Sequence, residues 1–333
     1  MSAAKPRVAL VLTGGTMNSL GADRLDLGWY IEAGKRLGEG EFLARIPEAA
    51  AIADVEEVTF RKMNSHALID RDWLDLLRFV QAQIDGGADG VVIGHGTNTI
   101  EETGYFLNLT LKSDQPVVLV GAMRPASGMS TDTELNVVNA IRVAADPAAK
   151  GRGVLVVLND TIYGARDVTK SATYRVQAFT ARDAGPLGYA DADGRVVWQH
   201  RTERAHTTAT EFDVAARESL PRVDIVVSYV GADGAMIDAA VAAGAKGIVS
   251  SGTGAGRPTP AEDEALDRAA AKGVVVCQSS RVGSGRVVAA PALLKRGLVA
   301  AGDLQPWKAR VLLALALTQT TDQARIQKFF DLY

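Results

Sequence analysis

The chain has 333 residues, a formal charge of −3, and 47% hydrophobic and 23% charged residues. That length accommodates two domains of ordinary size, and the composition is that of a globular protein, not a disordered or fibrous one. The mild negative charge gives no electrostatic reason to expect nucleic acid or an acidic membrane as partner. The single cysteine, Cys277, excludes an internal disulfide and a cysteine-based metal centre. Preceded by Val274-Val275-Val276, it reads as a packed core thiol. The first apolar run, residues 8–12, is too short for the apolar core of a secretory signal. No window approaches the roughly 18 apolar residues of a membrane helix, and the location expected is cytoplasmic.

From residue 7 to about 158 the pattern alternates strand and helix. Strands are expected over 8–12, 55–60, 90–93, 116–120 and 153–158, and helices over 41–46, 72–84, 99–111 and 134–145. The strand runs are nearly continuous Val, Leu and Ile, as in parallel sheets covered by helices on both faces. The fold class expected is therefore α/β, a doubly wound parallel sheet followed by a smaller α/β domain. Between 171 and 221 the helical period fades. Asp191-Ala192-Asp193-Gly194 marks a turn, and residues 195–198 read as one arm of a hairpin. The polar stretch near 201–221 reads as a linker between an N-terminal domain, 1–200, and a C-terminal domain, 222–333. In the second domain, strands are expected over 223–229, 247–250 and 274–277, with helices over 234–243, 260–271, 307–317 and 322–331.

Two strand ends carry chemistry. Residues 8–12 run into Thr13-Gly14-Gly15-Thr16, and residues 90–93 into Gly94-His95-Gly96-Thr97-Asn98-Thr99. Each places a hydroxyl after glycines at the carboxyl edge of a sheet, where open α/β folds bind ligands. Neither is a nucleotide site: no Gly-x-x-x-x-Gly-Lys-[Ser/Thr] and no G-x-G-x-x-G spacing is present. The four histidines, His66, His95, His200 and His206, are scattered without the spacing of a ligand pair, so no metal is expected. Gly283-Ser284-Gly285 lacks the spacing of a nucleophile elbow. Lys170 reads as a solvated surface lysine unless the fold ties it to the threonines. Buried beside a hydroxyl, it could serve as a base.

Four motifs occur in order: Thr13-Gly14-Gly15-Thr16, His95-Gly96-Thr97 with Thr99 and Glu101-Glu102-Thr103, Gly121-Ala122-Met123-Arg124-Pro125, and Asn159-Asp160-Thr161 with residues 166–170. Gln278-Ser279-Ser280-Arg281-Val282 and Lys308-Ala309-Arg310 follow. Together they resemble the bacterial-type L-asparaginases of the asparaginase/glutaminase family, over nearly the whole sequence. The resemblance implies hydrolysis of a carboxamide at the end of a substrate side chain through an acyl-enzyme, without cofactor or metal, in a homotetramer built as a dimer of dimers. It implies Thr16 as nucleophile, Tyr30 as the loop tyrosine that activates it, and Thr97 with Lys170 as a second hydroxyl–base pair. It further implies substrate contacts from Gly15, Ser65, His66, Gly96, Asn98 and Ala122. A threonine hydroxyl is a weak nucleophile at its ordinary pKa, so a neighbouring base is chemically required.

The sequence departs from the family pattern in one region. Asn98 stands where the family has an Asp that binds the substrate α-ammonium. The stretch 283–294 contains no acid where the family has an interface Glu. Ala255 stands where an Asn is common. The expectation is intact cleavage machinery with altered recognition of the α-amino end, and a Lys170 that lacks a carboxylate neighbour. L-Asparagine is the first substrate expected. A different small amide without a standard α-ammonium is the alternative, and a non-catalytic binding protein on the same scaffold is the reading from another class.

Overall fold

The computed structural model describes residues 4–38 and 40–333. The protein divides into two compact units, one ending at Ala209 and the other beginning at Thr210. In the first unit, eight strands form one sheet: β1 (Arg7–Leu12), β2 (Asp54–Thr59), β3 (Gly90–Gly94), β4 (Val117–Val120), β5 (Val154–Leu158), β6 (Thr161–Gly164), β7 (Gly188–Ala190) and β8 (Val196–Trp198). Their spatial order is β8-β7-β6-β5-β4-β3-β1-β2. The five strands from β5 to β2 are parallel, and β6, β7 and β8 add antiparallel neighbours at the other edge. The parallel-rich α/β architecture read from the valine- and leucine-rich runs is the one observed.

Three helices cover this sheet: α1 (Asp70–Asp85), α2 (Ile100–Thr110) and α3 (Thr133–Ala145). Alternation along the strands sorts the two faces. Leu10, Leu12, Val92, Val118, Val120, Leu155 and Val157 point into one core with Val137 and Ile141 of α3. The other parity meets α2, whose Gly104 lies against Val156 and Leu119. That glycine sits where a larger residue would hold α2 off the sheet. Helix α2 is buried nearly all round, which is why its sequence lacks a clean amphipathic stripe.

The second unit holds a parallel sheet, β9 (Val223–Val227), β10 (Gly247–Gly252), β11 (Val275–Ser280) and β12 (Val299–Ala300), in that spatial order. Its longer helices are α4 (Ala235–Ala242), α5 (Pro260–Ala271), α6 (Pro306–Ala316) and α7 (Gln323–Leu332). Helix α5 begins where the sequence places it, because Thr259 and Glu262 cap each other's backbone N–H groups and Pro follows at the first helical position. Ile237, Ile248, Leu266 and Val276 form its core. Cys277, of opposite parity to Val276 along β11, is fully buried, and burial raises its thiol pKa. No helix among the described residues is long and apolar enough to cross a membrane.

Candidate active site

The carboxyl ends of β1 and β3 are tied together before either reaches its glycines. Thr13 donates from both its backbone N–H and its hydroxyl to the Gly94 carbonyl, at 3.0 and 2.9 Å. Gly15 then adopts φ +93°, a left-handed conformation that favours glycine. A Cβ there would lie 2.6 Å from Gly96 Cα, so the two turns touch backbone to backbone. A Cβ on Gly96 would in turn lie 2.5 Å from Ser65 Oγ. The bare backbone at these two positions is what lets Thr16, Thr97 and Ser65 reach one cleft.

That cleft has a volume of about 910 Å³ and belongs wholly to the first unit. Its wall contains Thr16, Tyr30, Thr97 and Lys170, together with Gly15, Ser65, His66, Gly96 and Asn98. Of the site residues read from the sequence, Ala122 alone is absent from the wall. The resemblance implies a contact from its backbone carbonyl; its methyl group is buried with Val118 and Val120, whose inward parity it continues, and the next residue, Met123, lines the cleft.

Two hydroxyl contacts define the chemistry. Thr16 Oγ1 and Tyr30 Oη lie 2.9 Å apart. Burial raises the Tyr30 pKa above the ordinary phenol value, opposed by the Thr16 bond, so the phenol is neutral near pH 7. Lys170, in a short antiparallel ladder of Thr169–Lys170 with Phe179–Thr180, donates from Nζ to Thr97 Oγ1 at 2.8 Å. Burial lowers its pKa, and the Glu101 carboxylate opposes that shift. Glu101 Oε1 also accepts the Lys170 backbone N–H at 3.3 Å. The expectation of a lysine without a carboxylate neighbour is thereby corrected: within the first turn of α2, Glu101 faces it. The surface-lysine reading of Lys170 falls with its hydrogen bond to Thr97.

His95 supports the turn from behind. It is buried, and burial lowers its pKa to about 4, so the ring is neutral. Its Nδ1 lies 2.8 Å from the Gly96 carbonyl, which can only accept, so the tautomer assigned carries the proton on Nδ1. Thr99 Oγ1 donates to the Ser65 carbonyl at 2.9 Å, fastening the start of α2 to the Ser65 turn.

Sequence reasoning missed several parts of the wall. Asn64, Met123, Ile31 and the run Ser171-Ala172-Thr173-Tyr174-Arg175 all line it. Asn64 carried no signal beyond its place next to Ser65. The run after Lys170 could have been found only by noticing that it directly continues a candidate catalytic lysine.

Residues 7–204 match the family model described as "Asparaginase, N-terminal", and residues 222–330 that of the "Glutaminase/Asparaginase C-terminal domain". The probable periplasmic L-asparaginase of Haemophilus influenzae is 43% identical, covering 98% of this chain and 93% of its own. L-asparaginase 2 of Escherichia coli is 42% identical, with 99% and 94% covered. The glutaminase-asparaginase of Pseudomonas fluorescens is 38% identical, with 97% and 89% covered. The crystal structure of a probable cytoplasmic L-asparaginase from Campylobacter jejuni superposes with a TM-score of 0.95 at 40% identity, covering 99% of this chain and all of that one. Two domain matches spanning the sequence, relatives at this identity and the shared fold agree, and the protein belongs to the asparaginase family of amidohydrolases.

Proposed function

We propose that the enzyme hydrolyses the terminal carboxamide of asparagine, or of a compound built on it, through an ester formed on Thr16. The observation that carries this reading is the pair of hydroxyl contacts opening on one cleft, Thr16 with Tyr30 and Thr97 with Lys170. Thr16 Oγ1 attacks the carboxamide carbon. Because Tyr30 is a neutral phenol, it acts as a relay: its oxygen takes the Thr16 proton as its own goes to the departing nitrogen, which leaves as ammonia. Water then attacks the ester. Lys170, whose pKa burial lowers, draws a proton from that water through Thr97 and returns it to the Thr16 oxygen. The developing oxyanion is met by backbone donors. His95 holds the Gly96 carbonyl, and the planar trans peptide turns the Thr97 N–H the opposite way. A donor so placed is worth about 3–4 kcal/mol in comparable sites.

Thr16→Ala is expected to abolish ammonia release from L-asparagine and from related amides, by a factor on the order of 10³ or more. Retention of activity in that variant overturns the role of Thr16, and absence of ammonia release from every amide in the unaltered enzyme favours the binding-protein reading. A homotetramer and a cytoplasmic location form part of the same reading, checked by light scattering of the purified protein and by cell fractionation.

A further inference from the structure

The charge balance of the cleft wall is one-sided. Among the described residues that line it, Lys170, Arg175 and His66 are the basic ones, and there is no Asp or Glu. Three carboxylates lie close enough to act on the wall's titratable groups: Glu101 on Lys170, and Asp26 and Asp132 on Tyr30. Each is turned onto backbone N–H groups. Glu101 accepts from Lys170. Asp26 accepts from Ala22 at 3.0 Å and Trp29 at 2.9 Å. Asp132 accepts from Met123 at 2.9 Å and Arg124 at 3.0 Å, and from the Asn136 amide at 3.0 Å. None is a wall residue. Asn98, which is exposed on the wall, offers a neutral amide.

A substrate carrying both a carboxylate and an ammonium finds partners here for the first group only. Bringing an ammonium to a wall that carries Arg175 and no carboxylate costs affinity. Removing that charge by acylation removes the conflict, and the cleft has room for the acyl group. Its volume of about 910 Å³ is at the upper end of small-molecule pockets, about 300–1,000 Å³. Ile31, Met123 and Tyr174 supply apolar and aromatic wall for it.

We infer that the preferred substrate is an asparagine whose α-nitrogen is acylated, an anionic carboxamide with no ammonium. This rests on the amidohydrolase reading of the same cleft. The reaction is unchanged: the bond between the carboxamide carbon and its nitrogen breaks, ammonia leaves, and an N-acylaspartate is formed.

The test compares kcat/KM for N-acetyl-L-asparagine and L-asparagine by ammonia release, at one pH and salt concentration. A charge-assisted contact denied to one substrate predicts a preference for the acylated amide of at least about tenfold. Asn98→Asp, which puts a carboxylate on the wall, is expected to shrink or reverse that ratio. L-Asparagine equal to or better than its N-acetyl derivative overturns the inference while leaving the amidohydrolase reading intact. Binding to Thr16→Ala, measured by calorimetry, gives a second readout independent of turnover. N-acetyl-L-aspartate binding more tightly than L-aspartate supports the inference, and the opposite order sinks it. Loss of ammonia release from both amides in the unaltered enzyme is instead a failure of the parent reading.

Discussion

At Lys170 two effects oppose each other: burial favours the neutral amine and Glu101 favours the ammonium. The net shift is downward, so burial wins. If the free amine is the base, activity rises as pH passes through that lowered pKa, and the ascending limb lies below the ordinary lysine range. Glu101→Gln removes the opposing charge. The Lys170 pKa then falls further and, because Lys170 acts on the ester, the ascending limb of kcat moves to lower pH. Asn98→Asp adds a charge on the wall and moves the limb the other way. A pH–rate profile unmoved in both variants excludes Lys170 as the titrating base. The residue scale also shows what sequence reading loses. Thr16, Thr97 and Lys170 were recognisable from their motifs, but Glu101 stands 69 positions before Lys170 and meets it only because α2 folds back beside the ladder. Arg175 and Tyr174 carry no local pattern that marks them as part of a cleft wall.

At the scale of elements, a buried polar contact links α1 and α2 within their apolar interface. Trp73 Nε1 donates to Thr103 Oγ1 at 3.0 Å, and the Trp73 ring stacks on Phe106 with centroids 5.3 Å apart. Trp73→Phe keeps an aromatic ring there but deletes the N–H together with part of the indole, so it removes the hydrogen bond and some packing. Leaving the fully buried Thr103 hydroxyl without that donor should cost about 1–3 kcal/mol, read as a lower midpoint in chemical denaturation. An unchanged midpoint would mean the contact contributes nothing net. Elements also differed in how readable they were. The parallel strands announced themselves by continuous apolar runs, and α5 by its capping residues. The hairpin from β5 to β6 did not. Its two-residue turn is Asn159-Asp160, both at positive φ, 49° and 62°, where such turns usually carry a glycine that flags them. Asn139 Nδ2 bonds the Asp160 carboxylate and Asn136 Oδ1 accepts the Asn159 N–H, so α3 supports a conformation the turn's own residues do not advertise.

For the whole molecule, the architecture follows from burial and the site follows from close approach. A sheet covered on both faces favours Val, Leu and Ile along its central strands, and that preference is visible in the sequence. The convergence of three distant turns on one cleft is set by glycines at positions 15 and 96, whose role depends on which backbone they touch. Spacing alone does not disclose that. The central claim is that Thr16, and not Thr97, forms the bond to the substrate acyl group. The direct measurement is mass spectrometry of the enzyme quenched in acid during turnover and digested to peptides. The account predicts an acyl adduct on the peptide containing Thr16, absent from Thr16→Ala and accumulating in Lys170→Ala. An adduct on the peptide containing Thr97, or full turnover with no adduct on either, contradicts it.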